Sequence, residues 1–126
     1  MTTAGEVRPL TATAWLELGA GLPMLLAPGL AADLLQVSLS PTARVLILLF
    51  GAAICGLGAL AWVARGADPA PRRRAGWVFA GYHVAAAVIL AYALGTHTLG
   101  GVLAAGAALA HLVLAGVLAR ALTADR

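Results

Sequence analysis

The sequence predicts an all-α membrane protein, a bundle of four transmembrane helices with both chain ends in the cytoplasm. Two features of the composition predict this class: 62% of the 126 residues are hydrophobic, and only 10% are charged. Soluble domains carry about 25% charged residues, so this chain has too few charges to cover the surface of a water-soluble protein. The third observation is a succession of apolar runs, each near the ~20 residues that a helix needs to cross a bilayer.

The sequence indicates the start of the second span more clearly than the end of the first. The first span begins near Leu10 and ends between Ala27 and Leu35. The second begins at Pro41, because Ser40 is a favourable N-cap and proline is favoured at the first helical position. The four spans are predicted at residues 10–35, 41–65, 74–95 and 98–122.

Two connections separate the later spans. The linker 66–76 contains two prolines and three arginines, so we expect it to interrupt the helices rather than continue one into the membrane. The turn 96–101 is short, which predicts that the third and fourth spans are antiparallel neighbours. The chain is therefore interpreted as one four-helix domain over residues 1–126.

The arginines predict the orientation of this bundle. With the linker in the cytoplasm, four spans leave only Arg44 outside, and membrane proteins concentrate arginine in cytoplasmic segments. Trp15, Trp62 and Trp77 then lie near the cytoplasmic interface, where tryptophan is enriched. The arginines placed in the cytoplasm are Arg8, Arg65, Arg72, Arg73, Arg74, Arg120 and Arg126. This pattern predicts a multi-pass protein of the bacterial inner (plasma) membrane.

Glu17 is a carboxylate inside the first apolar run, and its depth depends on where that helix ends. If the helix ends at Ala27, residues 29–36 form a short amphipathic segment on the outer surface, and Glu17 lies about 10 Å deep. If a proline-kinked helix continues to Leu35, Glu17 lies near the headgroups. The carboxylate also argues against the alternative that the first span is a cleaved signal peptide.

Helical periodicity places the buried polar candidates on faces rich in small residues. Glu17 shares a face with Gly21, and His111 shares one with Ala104 and Ala115. Membrane helices associate through such faces, so these polar groups are expected to point into the bundle. The second span carries a similar seam, formed by Arg44, Leu48, Gly51, Cys55, Gly58 and Trp62.

These faces predict an intramembrane polar cluster. Its candidate members are Glu17, Tyr82, His83, His111 and Cys55. The rise per residue of a helix places Glu17 and His83 at similar depths, so they can pair, and it places His111 one turn deeper. A carboxylate and imidazoles arranged in this way are suited to relaying protons. The alternative is that each histidine only hydrogen-bonds a backbone carbonyl or a neighbouring hydroxyl.

Other motifs predict little chemistry. At the outer surface Asp33 and Arg44 either form an ion pair or extend separately towards water, a topological role in both cases. Histidines at 83, 97 and 111 resemble a bis-histidine haem pattern, but His97 falls in a turn. The spacing of three histidines and one cysteine is not that of a metal site, and no cofactor is predicted. No enzyme motif and no nucleic-acid patch is present.

The chain resembles small four-helix bacterial membrane proteins of the DoxX-like and neighbouring families. The resemblance rests on LPMLLAPGLAADLL (22–35) and ARVLILLFGAAICGLGALAWVAR (43–65), followed by a basic loop and two further spans. It implies the four-helix fold, and some of these families are linked to redox or thiol-stress functions. In length, and in the single membrane glutamate of its first helix, the chain is also similar to small multidrug exporters, a match that stops at Glu17.

Three hypotheses for the function follow. The first is a non-enzymatic membrane component in the lipid bilayer that packs with itself as a homodimer or with a larger membrane protein. The second is an oligomeric proton-coupled small-molecule transporter or channel that uses Glu17, with His83 and His111 in support. The third is a quinone- or haem-associated redox protein.

Overall fold

The computed structural model describes the backbone of residues 4–124 and the side chains of residues 7–124. Within this part of the chain all regular structure is α-helical. The helices are α1 (Ala4–Leu26), α2 (Pro28–Leu34), α3 (Pro41–Ala64), α4 (Pro69–Gly95) and α5 (Gly101–Ala124). Arg126, which the sequence places in the cytoplasm, lies outside the described residues.

The helices α3, α4 and α5 are each long and apolar enough to cross a membrane. A fourth crossing requires α1 and α2 to act together, because the chain bends by 118° between them. The structure therefore supports three membrane spans, or four if the bent pair is one span.

The bend follows from the proline at its centre. The helix α1 ends at Leu26, Ala27 has non-helical backbone angles (φ −142°, ψ 63°), and Pro28 opens α2. Proline has no N–H to donate and disfavours helical backbone at the residue before it, so the helix stops here. Of the two arrangements predicted for the first span, the backbone adopts the one that ends before Pro28 and continues as a short separate helix.

The helix that carries the second predicted span begins at Pro41, as expected, whereas the helix that carries the third begins before residue 74. Ser40 Oγ accepts a hydrogen bond of 3.1 Å from the Ala43 N–H, and Pro41 opens α3. The helix α4 begins at Pro69, inside the linker that was expected to interrupt it. The first turn of a helix needs no backbone donors, so Pro69 and Pro71 are accommodated there.

The helices pack as two close pairs, α1 along α3 and α4 along α5, with α1 also touching α4 and α5. Glycines allow the first pair to approach: a Cβ on Gly58 would lie 2.9 Å from Leu18 Cγ, and one on Gly51 would lie 2.8 Å from Met24 Cβ. Of the seam predicted for the second span, Gly51 and Gly58 are buried against α1, whereas Arg44 and Trp62 at its ends are exposed.

The ends of α3 and α5 and the starts of α1 and α4 lie together at one end of the bundle. Here the Trp15 and Trp62 rings meet edge to face with centroids 5.8 Å apart, and the Arg65 guanidinium lies 3.5 Å above the Trp62 ring. A buried apolar cluster joins these helices, formed by Leu10, Ala14, Ala61, Ala64, Phe79, Ala80 and Leu118. Arg44 lies in the first turn of α3, at the opposite end.

Two arginines of the basic linker contribute to packing as well as charge. Arg72 is 1% exposed and donates a hydrogen bond of 3.1 Å to the Ala67 carbonyl. Arg73 donates to the carbonyl of Leu122 and so ties the start of α4 to the end of α5. At the other end of the bundle, the Gly100 N–H donates to the Leu35 carbonyl at 3.1 Å and holds the α4–α5 turn against the segment that follows α2.

Candidate functional site

Three helices bring polar side chains together in the centre of the bundle. We define the central cluster as Thr13 and Glu17 from α1, Tyr82 and His83 from α4, and His111 from α5. Thr13 and His83 are 0% exposed, Glu17 1% and His111 9%. Four of the five members were predicted from the sequence, and the burial of Glu17 and His111 confirms that their small-residue faces point inward.

The two oxygens of Glu17 have different surroundings. Oε2 accepts a hydrogen bond of 2.9 Å from the Tyr82 hydroxyl. Oε1 is buried and accepts no hydrogen bond within the described part of the chain. It lies 3.9 Å from Nδ1 of His83 and 3.9 Å from Nδ1 of His111. One carboxylate oxygen therefore faces both imidazoles without being bonded to either.

The two imidazoles are in direct contact. His83 Nδ1 lies 2.7 Å from His111 Nδ1, a hydrogen bond in which one nitrogen donates and the other accepts. The other ring nitrogen of His83, Nε2, lies 3.0 Å from the hydroxyl oxygen of Thr13. Both nitrogens of His83 are thus held by named partners, which fixes the orientation of its ring.

The sequence predicts His111 one turn deeper than His83. Their Nδ1 atoms are in direct contact at 2.7 Å, so the two side chains meet across the α4–α5 interface. Nearer the basic end, the bond from Arg73 to the Leu122 carbonyl joins the same two helices.

Thr13 is the member that sequence reasoning missed. It precedes Glu17 by four residues and so lies on the same face of α1, a spacing that was available in the sequence. Threonine is common in apolar helices as a residue that bonds its own backbone, so its type alone did not distinguish it.

Cys55 does not join the central cluster. Its Sγ lies in the α1–α3 interface, where it would be 2.6 Å from a Cβ placed on Gly21. The seam that carries Cys55 faces α1, whereas the cluster forms where α1 meets α4 and α5.

Asp33 and Arg44 do not pair. Both side chains are exposed, and no ion pair joins these two residues in the structure. Since an exposed pair contributes about 0–1 kcal/mol, little favours holding the two side chains together. The two side chains therefore extend separately, which is one of the two arrangements predicted for them.

The contact between the imidazoles also bears on the haem hypothesis. The ring centroids of His83 and His111 are 4.9 Å apart, and the Tyr82 ring lies 5.1 Å from that of His83. Axial histidines lie on opposite faces of a haem, and rings packed this closely leave no space for a porphyrin between them. The cluster therefore does not fit a bis-histidine haem.

A second concave feature lies beside the cluster. An apolar cleft of about 640 Å³ separates α1 and α2 from α5 and is lined by residues such as Trp15, Met24, Leu34, Leu103 and Ala107. Its walls carry almost only hydrocarbon, so the cleft is suited to apolar contacts rather than to polar chemistry.

The arrangement offers three ligand atoms to a cation. Glu17, His83 and His111 each present one such atom, and the three lie within 4.8 Å of one another. No protein-family model, curated protein or solved structure matches the chain. The resemblance to DoxX-like proteins thus has no support beyond architecture.

Proposed function

We propose that this protein is a small, non-enzymatic, multi-pass membrane protein that binds a cation between its helices and carries it as a transporter or channel. The observation that supports this most is Glu17 Oε1, which is buried, accepts no hydrogen bond among the described residues, and faces two imidazole nitrogens at 3.9 Å. A carboxyl oxygen beside two ring nitrogens is a set of atoms that can bind a cation.

A purely structural role explains the cluster less well. Helices that only pack together in a bilayer do so through small residues, as α1 and α3 do at Gly21, Gly51 and Gly58. A charged side chain at the centre of a membrane helix costs ~2.5–3.5 kcal/mol to insert, and buried ionisable groups in membrane helices are rare. Burying Glu17, His83 and His111 at one point is therefore unfavourable for packing alone, and it favours the transport hypothesis over the accessory-subunit hypothesis.

The proposal places the bent pair α1–α2 as the first of four spans, with both chain ends in the cytoplasm of a bacterial cell. It is supported by the segregation of basic residues. Six arginines lie towards one end of the bundle and one towards the other, and the positive-inside rule assigns the basic end to the cytoplasm. In this placement α2 lies at the outer surface.

The proposed assembly is a homodimer. Gly81 and Ala85, one helical turn apart on α4, are both exposed, and a Cβ on Gly81 would meet no atom within 4 Å. Small residues four apart on a membrane helix allow another helix to approach closely. A second copy across this face would give the narrow bundle the larger enclosed space that a transport pathway needs, and native mass spectrometry from mild detergent would detect it.

Proteoliposomes test the transport proposal. Vesicles contain a pH-sensitive and a zinc-sensitive dye, and entry of protons or of Zn²⁺ is followed under an imposed gradient. We expect the wild-type protein to admit one of these cations and Glu17→Gln, which keeps the shape of the side chain, to reduce the rate to that of empty vesicles. The matched control is His97→Asn, since His97 is exposed in the α4–α5 turn and its φ of 56° suits asparagine.

Two results would contradict this function. One is that folded wild-type protein admits neither cation. The other is that Glu17→Gln transports as fast as the wild type. Glu17→Gln should retain its helical content by circular dichroism, so that lost transport is not confused with lost folding.

A further inference from the structure

The three ligand atoms of the central cluster form a triangle of the size that a transition-metal ion requires. Its sides are 2.7 Å between the two Nδ1 atoms and 3.9 Å from each Nδ1 to Glu17 Oε1. The point equidistant from the corners of such a triangle lies about 2.1 Å from each. Zinc binds imidazole nitrogen at about 2.0–2.1 Å and carboxylate oxygen at about 2.0–2.2 Å.

The atoms at the corners are available to a metal. Glu17 Oε1 accepts no hydrogen bond among the described residues, because the tyrosine of the cluster binds the other oxygen. His83 uses Nε2 for Thr13, which leaves Nδ1 to face the triangle. In the metal-free protein one proton joins the two Nδ1 atoms, which lie 2.7 Å apart in their hydrogen bond. A cation bound by both nitrogens and by Oε1 takes the place of that proton, which is released.

The donor set selects the kind of cation. Two imidazoles and one carboxylate suit divalent transition metals, whereas Ca²⁺ and Mg²⁺ prefer oxygen ligands throughout. Tetrahedral coordination places two nitrogens about 3.3 Å apart, so the rings would separate by about 0.6 Å on binding. Three protein ligands leave the fourth position open, as in zinc sites where the metal works, rather than closed, as in structural ones.

We propose that Glu17, His83 and His111 bind one divalent transition-metal ion, of which Zn²⁺ is the representative. Thr13 is a positioning residue: it accepts a hydrogen bond from the Nε2–H of His83 and keeps Nδ1 as the metal-binding nitrogen. Metal-bound histidines ordinarily donate their second ring N–H in this way. This inference rests on the proposed cation-binding function and names the cation.

Metal titration of the purified full-length protein in detergent tests the site. The protein is stripped with a chelator and titrated with Co²⁺, whose visible spectrum reports four-coordinate binding, and Zn²⁺ is then used to displace it. We expect one Co²⁺ per chain. Removing an outer partner of a metal ligand lowers affinity about 10–100-fold, so Glu17→Gln, which loses a ligand, should lower it about 100-fold or more. His97→Asn should bind as the wild type does.

A measurement on the wild-type protein keeps the inference testable if a variant fails to fold. X-ray absorption of the Zn²⁺-loaded protein should show nitrogen and oxygen neighbours, two of them imidazole, at about 2.0–2.1 Å. A sulfur neighbour near 2.3 Å would assign the metal to Cys55 instead and overturn the proposal. Absence of stoichiometric binding, or equal binding by Glu17→Gln, would overturn it as well.

The metal titration and the vesicle assay distinguish failure of the metal site from failure of the transport function. Stoichiometric Zn²⁺ binding without transport of any cation keeps the metal site and removes the transport function. Proton entry that depends on Glu17, in a protein that binds no metal, removes the metal site and keeps the transport function.

Discussion

At the scale of single residues, Tyr82 determines how Glu17 is held. Its hydroxyl is 2.9 Å from Oε2 and directs the other oxygen towards the imidazoles. The donor and acceptor come from different helices, so this bond also ties α4 to α1. Hydrogen bonds between membrane helices contribute about 0.6 kcal/mol on average, and bonds to carboxylates are stronger than bonds between neutral groups.

Tyr82→Phe should therefore lower the free energy of unfolding by about 1–2 kcal/mol. The variant keeps the ring that packs against His83 and His111 and removes only the hydroxyl. Unfolding in mixed detergent micelles, followed by tryptophan fluorescence, measures the change. Tyr92→Phe is the matched control, because Tyr92 lies on the same helix and is 71% exposed. Equal losses in the two variants would show that the Tyr82–Glu17 bond is not stabilising.

The sequence predicted which residues meet in the cluster better than how they meet. Glu17 and His111 could be found because ionisable groups on small-residue faces of membrane helices point inward. The direct contact of His111 with His83 could not be found, since it depends on how far α5 slides along α4, and the apolar faces of the two helices do not reveal that offset.

At the scale of the helices, the closest packing is between α1 and α3. Gly58 in α3 lies against α1, where an added Cβ would be 3.2 Å from the Ala14 carbonyl oxygen and 2.9 Å from Leu18 Cγ. Two residues earlier on the same helix, a Cβ on Gly56 would meet no atom within 4 Å. The two glycines therefore differ in packing while sharing one helix.

Gly58→Ala should destabilise the protein by about 1–3 kcal/mol, because overfilling a packed interface forces the helices apart. Gly56→Ala should be neutral or stabilising by up to about 1 kcal/mol, since alanine is the better helix former. Thermal unfolding of the two purified variants compares them under the same conditions. A destabilised Gly56→Ala beside an unchanged Gly58→Ala would contradict the packing described for α1 and α3.

The sequence predicted the existence of the long helices better than it predicted where they begin and end. Hydropathy located α3, α4 and α5, because the apolar length needed by a bilayer is read directly from the chain. Prolines were harder to interpret: Pro28 ends one helix and opens the next, whereas Pro69 and Pro71 lie in the first turn of α4. A proline is compatible with both roles, so the start of α4 and the 118° bend after α1 required the structure.

At the scale of the whole molecule, the outer surface is as apolar as the interior. Val102 is 89% exposed, Leu26 81% and Tyr92 71%. The interior instead contains the central cluster and Arg72, so polarity is concentrated inside and at the ends of the bundle. This distribution is that of a protein whose solvent is lipid, where the hydrophobic effect does not hold the helices together.

The contacts at the basic end make the number of spans a testable question. If α3, α4 and α5 alone crossed the membrane, α1 would lie outside it, and the N-terminus would be on the side opposite the C-terminus. The packing of α1 along α3 argues otherwise, because the rings of Trp15 and Trp62 meet at the same end as the arginines. Both chain ends should therefore lie in the cytoplasm, whereas the turn that contains His97 should lie outside.

Reporter fusions separate the two topologies. Green fluorescent protein, which fluoresces after cytoplasmic folding but not after unfolded export, should be bright when fused to either end of the chain. Alkaline phosphatase, which is active only outside the cytoplasm, should be active when inserted at His97 and inactive when inserted at Ala67. The fusions at His97, Ala67 and the C-terminus give the same result for three spans and for four, so they serve as controls for expression. The N-terminal fusion distinguishes the two topologies. If the N-terminal fusion does not fluoresce while the C-terminal fusion does, the protein has three spans, and α1 with Glu17 lies outside the membrane.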